Sequence, residues 1–214
     1  DKHWNDGRVG QPNPLDDVGF VDEIVKDVIQ RTAIDRGRIY ATGFSNGGMF
    51  SFRLACERST VFAAVAPAVA QLGVDLSRTC TPEKPISIVY IVGDRDPLMP
   101  FGGGAVTGPF GLEKRPGLVL SSDATRDFFV NKFHCVSKAV TVVLDADPGD
   151  GTSVVREAHA CDAGTSFVRY VVRDGGHTWP GGTQYLSERL IGKTSRDFDA
   201  SYAVWTLLSQ NRRK

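Results

Sequence analysis

The chain has 214 residues, 41% of them hydrophobic and 23% charged, with 25 basic and 25 acidic side chains and no formal net charge. That size suits a single domain over residues 1–214 with one substantial core. The charge balance removes any electrostatic case for a nucleic acid or an anionic membrane surface as partner, and no apolar run reaches the roughly 20 residues of a membrane span.

In chain order, residues 1–15 are rich in Gly, Pro and Asn and read as loop, with no charged-then-apolar leader, so an export signal is not expected within this sequence. Asp16 and Asp17 open a helix in which Phe20, Val21, Ile24, Val25, Val28 and Ile29 recur at helical spacing. The turn Asp35-Arg36-Gly37-Arg38 leads into a short strand that breaks at Gly43, and an apolar Ala/Leu-bearing run over 49–56 reads as a helix. Strand, Gly43-Phe44-Ser45-Asn46-Gly47 and helix together are the setting of a nucleophile elbow. Such a turn strains the backbone of Ser45 and holds its hydroxyl at the positive end of the helix dipole. Gly43 and Gly47 are expected to be glycine because a Cβ at either would strike the neighbouring strand and helix.

The near-continuous apolar runs 61–67 and 85–93 suit parallel strands covered on both faces. Residues 101–121, with Gly102-Gly103-Gly104, form a loop-rich insertion of the length usually kept for function. Ser122 and Asp123 cap a helix through Phe133, strands follow over 139–144, 153–159 and 166–172, and an amphipathic helix with Tyr202, Trp205 and Leu208 at helical spacing runs over about 197–209. Arg212-Arg213-Lys214 is a solvated basic end. This alternation of strand and helix predicts an α/β fold.

A serine hydroxyl is a poor nucleophile until a base takes its proton, and the base must be oriented. Of the four histidines, His3 lies in the leading loop, His134 at a helix end and His159 at a strand end. His177 sits in Asp174-Gly175-Gly176-His177-Thr178-Trp179-Pro180-Gly181-Gly182, directly after the last strand, where flanking glycines would free the loop to carry an imidazole over a neighbouring strand tip. The acid belongs after another sheet strand in the order Ser…Asp…His. Asp94 and Asp96 both qualify. Asp96, before Pro97, is preferred, and Asp94 also suits a turn-stabilising role. Cys56, Cys80, Cys135 and Cys161 are too far apart for CxxC motifs. They are either free thiols or two disulfides; three pairings exist, of which Cys56–Cys80 with Cys135–Cys161 is the expected one.

Trp4-Asn5-Asp6-Gly7-Arg8, Asp16-Asp17-Val18-Gly19-Phe20, Gly43-Phe44-Ser45-Asn46-Gly47-Gly48-Met49, Phe62-Ala63-Ala64-Val65-Ala66-Pro67, Asp96-Pro97 with Pro100, and Gly176-His177-Thr178-Trp179-Pro180-Gly181 span nearly the whole chain. Together they resemble the extracellular α/β-hydrolase esterases of the polyhydroxybutyrate depolymerase and feruloyl (acetylxylan) esterase group. The resemblance implies an α/β-hydrolase fold with a mostly parallel central sheet, Asp96 as the acid, secretion, and disulfides. Family members carry, before the segment that matches Trp4 to Arg8, further strands and a His-Gly loop that supplies one oxyanion-hole amide. This sequence begins after that point. The expectation is therefore a fold lacking those N-terminal strands, an unpaired sheet edge, and an oxyanion hole in which the Asn46 amide is one donor and the other is unaccounted for.

The function expected is a serine carboxylesterase that uses Ser45, Asp96 and His177 through an acyl-enzyme, with no metal and no organic cofactor. Its partner would be an ester of a short-chain or aromatic acyl group, carried on plant polysaccharide or in hydroxyalkanoate oligomers. Phe44 and Trp179 are candidates to line its pocket, with core packing as the competing role for each and the stronger one for Met49. The competing function is a polysaccharide- or polymer-binding domain of α/β-hydrolase type that has lost activity. A cytosolic thioesterase or peptidase would share the triad but hold free thiols.

Overall fold

The computed structural model describes residues 3–8, 15–108, 117–136 and 140–213. Parts of the predicted leading loop (9–14), of the 101–121 insertion (109–116), the first residue of the predicted strand at 139 and Lys214 lie outside the described residues.

The strands, in chain order, are β1 (Tyr40–Phe44), β2 (Ala64–Ala68), β3 (Ser87–Gly93), the two-residue β4 (Gly104–Ala105) and β5 (Leu118–Val119), β6 (Val140–Leu144), β7 (Ser153–Ala160) and β8 (Ser166–Arg173). Six of them form one sheet in the order β1-β2-β3-β8-β7-β6, and β4 pairs with β5 separately inside the predicted loop. β1, β2, β3 and β8 run parallel. β7 is antiparallel to both β8 and β6. The difference follows from the connections: a short turn between β7 and β8 allows only an antiparallel hairpin, whereas a helix-bearing crossover returns the chain parallel. Every residue of β2 and β3 is buried, as their unbroken apolar runs require. β1 stands at the end of the sheet order and its residues are only partly covered.

The helices are α1 (Asp17–Arg31), α2 (Asn46–Glu57), α3 (Val74–Thr79), α4 (Ser122–Lys132), α5 (Glu188–Ile191) and α6 (Ala200–Ser209). Alternation along the strands sends side chains to two cores. On one face Val65, Ile88, Tyr90 and Phe167 pack with Phe52 of α2 and Phe129 of α4. On the other Ala64, Ala66, Val89, Ile91 and Tyr170 meet Val204 and Leu208 of α6. The short helices α3 and α5 and the β4–β5 pair have too few residues to show a period, and the sequence reading missed them.

The inward face of α6 also differs from the spacing read in the sequence. Ala200, Val204 and Leu208 are buried, whereas Tyr202 and Trp205 are 71% and 62% exposed. The β2 alanines leave a shallow surface that takes a small-residue helix face, and the Trp205 ring meets Tyr40 at the sheet edge instead, at 6.3 Å.

The structure joins Cys56 at the end of α2 to Cys80 at the cap of α3, and Cys135 after α4 to Cys161 in the β7–β8 turn. These bonds close loops of 24 and 26 residues. Loops of that size restrict the unfolded chain by about 3–4 kcal/mol each. Reduction is therefore expected to lower the denaturant midpoint sharply, and thiol titration of the denatured, unreduced protein is expected to find none free.

Candidate active site

Ser45 follows β1 and caps α2 with φ 56° and ψ −118°, a conformation that L residues seldom adopt. Its N–H donates to the Ala68 carbonyl at 2.9 Å and its carbonyl accepts from Met49 N–H at 2.9 Å, so backbone on both sides holds the turn. The side chain makes no capping bond to α2, which leaves the hydroxyl available.

The glycines act differently from the expectation in one respect. A Cβ on Gly43 would lie 2.3 Å from the carbonyl carbon and oxygen of Gly47, as predicted. At Gly47 itself a Cβ meets nothing within 4 Å. The second constrained position is Gly48, whose Cβ would sit 2.7 Å from both the Ala68 carbonyl oxygen and the Ala70 methyl. The helix starts at Asn46 and turns Gly47 outward, so Gly48 is the residue driven against β2. Gly47→Ala is expected to raise stability by about 0.5–1 kcal/mol through helix propensity, whereas Gly43→Ala costs about 1–3 kcal/mol or more by forcing backbone apart. Denaturant midpoints of the two variants check the pair.

Asp96 follows β3 and His177 follows β8, so Ser45, Asp96 and His177 all stand beyond the carboxyl ends of parallel strands. His177 Nδ1 and Asp96 Oδ2 are 2.7 Å apart, with side chains 6% and 0% exposed. The other carboxylate oxygen of Asp96 accepts from the N–H groups of Leu98 at 2.8 Å and Met99 at 2.9 Å. An ionised carboxylate only accepts, so this contact puts the imidazole proton on Nδ1 and leaves the Nε2 lone pair free. Asp94, the other candidate, accepts from Asp174 N–H at 2.7 Å and from Arg173, and so stabilises the β8 turn.

Glycines around His177 pack the loop tightly where the sequence suggested freedom. A Cβ on Gly176 would lie 2.0 Å from the Ile191 carbonyl oxygen, and one on Gly93 would lie 2.4 Å from that of Gly175. His177 N–H donates to the Ile191 carbonyl, and the Tyr185 hydroxyl donates to the His177 carbonyl at 2.9 Å. The Phe44 ring, one residue before Ser45, meets the His177 ring edge-on at 5.0 Å and Tyr185 at 6.3 Å. Burial first, and then the charge of Asp96, push the Tyr185 phenol up.

An apolar groove of about 770 Å³ runs along the outer side of β1 between α1 and α2, with Ser45 and Asn46 among its lining residues. Phe44 lines it too, as does His3. Trp179 points elsewhere: its indole N–H donates to Ser201 of α6 at 3.1 Å and its ring packs in the second core, the packing role it shared in the sequence reading. Met49 is 2% exposed, a core residue. His134 pairs with Asp162 at the surface, and buried His159 meets the Val136 carbonyl, both far along the chain from the Ser45 turn. Asn46 carries a contact the sequence did not reveal. Its side chain is tied to Trp4 and to buried Asp6. Asp6 and Arg8 stood in the leading motif, but only their burial and pairing distinguish them from solvated loop charges.

No protein-family model matches the chain. A protein of Nocardia uniformis subsp. tsuyamanensis, "Putative esterase NocK", is 35% identical over 196 residues, covering 89% of this chain and 56% of that protein. Feruloyl esterase C of Emericella nidulans is 31% identical over 162 residues, covering 76% of this chain and 50% of its own. The chain thus spans about half the length of these curated relatives. A crystal structure of a thermostable esterase aligns at 30% identity with a TM-score of 0.35, over 41% of this chain and 23% of that one. That overlap is too small to bear on the fold, which rests on the strand order, the parallel core and the strained serine between β1 and α2. By sequence the chain is similar to esterases, feruloyl esterases among them, and its mostly parallel sheet with a strained serine between β1 and α2 is the arrangement of an α/β-hydrolase.

Proposed function

We propose that the chain is the catalytic part of a serine carboxylesterase, with Ser45 as nucleophile, His177 as base and Asp96 as its orienting acid. The buried 2.7 Å contact between His177 Nδ1 and Asp96 carries the reading, because it prepares Nε2 to accept a proton. Ser45 Oγ attacks the ester carbonyl carbon as its proton passes to Nε2. The carbonyl oxygen becomes an oxyanion that the backbone N–H of Asn46 holds, since the first amides of a helix have no partner within it. Collapse breaks the bond to the alcohol, which leaves with the proton from Nε2. Water then repeats the sequence on the acyl-enzyme, releasing the acid and restoring Ser45. No step calls for a metal or an organic cofactor.

Relatives named as feruloyl esterases support aromatic acyl esters as substrates, and Phe44 beside the base offers an aromatic wall for such a group. Short acyl esters and hydroxyalkanoate oligomers remain within the same reading. Two disulfides suit an oxidising, extracellular setting. A fluorophosphonate probe is expected to label Ser45 in the folded protein, and a panel of methyl ferulate, acetylated xylan and hydroxybutyrate oligomers ranks the acyl groups. Folded protein that resists the probe would favour a binding domain.

A further inference from the structure

Both polar atoms of the side chain that follows the nucleophile are already engaged. The Asn46 side-chain carbonyl accepts from Trp4 N–H at 2.7 Å, and its amide donates to the Trp4 carbonyl at 3.0 Å and to Asp6 Oδ2 at 2.8 Å. With one acceptor and both donor hydrogens committed, this side chain has no donor left for a substrate. Asp6, 1% exposed, also accepts from Arg8 through Nε, Nη2 and the backbone N–H, and Arg8 is 6% exposed. The leading loop is anchored further by Arg53 of α2, which donates to the Asn5 carbonyl at 2.7 Å, and by Asp17 of α1, which accepts from Asn5 N–H at 2.6 Å. Trp4 itself stacks on Phe50 of α2 at 5.0 Å and 7°.

We propose that Asp6 and the side chain of Asn46 are positioning residues for ester hydrolysis: they latch the first residue of α2 to the leading loop and so fix the Asn46 backbone N–H and the strained turn of Ser45. This inference rests on the serine-esterase reading. Strained backbone persists only where its surroundings over-determine it. Ser45 is held from behind by Ala68 and Met49, and the latch holds the next residue from the other side. Arg8 neutralises the Asp6 carboxylate, so the latch brings a strong acceptor to the elbow without adding net negative charge beside a developing oxyanion. The geometry also explains the residue type. Aspartate at position 46 would set a second carboxylate against Asp6 and the Trp4 carbonyl, and alanine leaves the backbone N–H in place but unheld.

Asn46→Ala is the informative variant, because it spares the Asp6–Arg8 pair and keeps the proposed backbone donor. Its kcat for p-nitrophenyl acetate is expected to fall about 10²-fold, the scale of a catalytic group misplaced by an ångström, with KM changed less than about twofold. Fluorophosphonate labelling should slow in parallel while thermal unfolding stays near that of the wild type. Asn46→Asp should lose more, since its carboxylate would face both Asp6 and the Trp4 carbonyl. Wild-type kcat and labelling rate in folded Asn46→Ala, or a folded Asn46→Asp no slower than Asn46→Ala, would overturn the latch. A wild-type protein that does not label at all would instead overturn the esterase reading.

Discussion

Ser45→Ala is expected to abolish ester hydrolysis, lowering kcat by about 10⁴-fold or more, and to eliminate fluorophosphonate labelling. The fold should survive the change. The strain at φ 56° belongs to the backbone, and an alanine Cβ occupies the place of the serine Cβ, so the only loss is a hydroxyl that makes no capping bond. Equal unfolding midpoints with activity gone would separate chemistry from stability. A variant that still hydrolyses p-nitrophenyl acetate at the wild-type rate would rule out Ser45 as nucleophile.

Asp96→Asn should have nearly as large an effect, about 10⁴-fold on kcat, for a reason of proton placement. The asparagine carbonyl keeps the two amide donors of Leu98 and Met99, which turns its NH₂ toward His177 Nδ1. Two donors cannot share that contact. The imidazole must move its proton to Nε2, where it can no longer accept one from Ser45. Asp94→Asn provides the contrast: Asp94 binds the turn at Asp174 and lies outside the His177 contact, so its activity should remain within a few-fold of wild type. Steady-state kinetics on both variants decides between the two aspartates, and near-equal losses would reject Asp96 as the orienting group.

Much of the sheet was legible because its physics is local. β2 and β3 are buried on both faces, which demands unbroken apolar runs, and β1 shows as a short strand that breaks at Gly43 before the serine turn. The roles of Gly47 and Gly48 were not legible. Two adjacent glycines look alike in a sequence, and only the start of α2 at Asn46 decides which of them faces Ala68. The same holds for α6, where aromatic spacing suggested one face and the alanine floor of β2 selected another. For Trp179 the sequence left pocket lining and core packing open, and the structure packs its ring against the second core with its indole N–H on Ser201.

The sequence by itself determined the strand-turn-helix around Ser45, the order of the candidate acid and base along the chain, and the α/β alternation. Each of these is written in short-range patterns of glycine, apolar period and turn residues. Only the tertiary structure decided that Asp96 rather than Asp94 reaches His177, because both follow β3 and the choice depends on where β8 delivers the imidazole. Only it joined Asp6 to Asn46 across 40 residues, since a buried carboxylate is recognised by the partners that surround it and not by its neighbours in the chain.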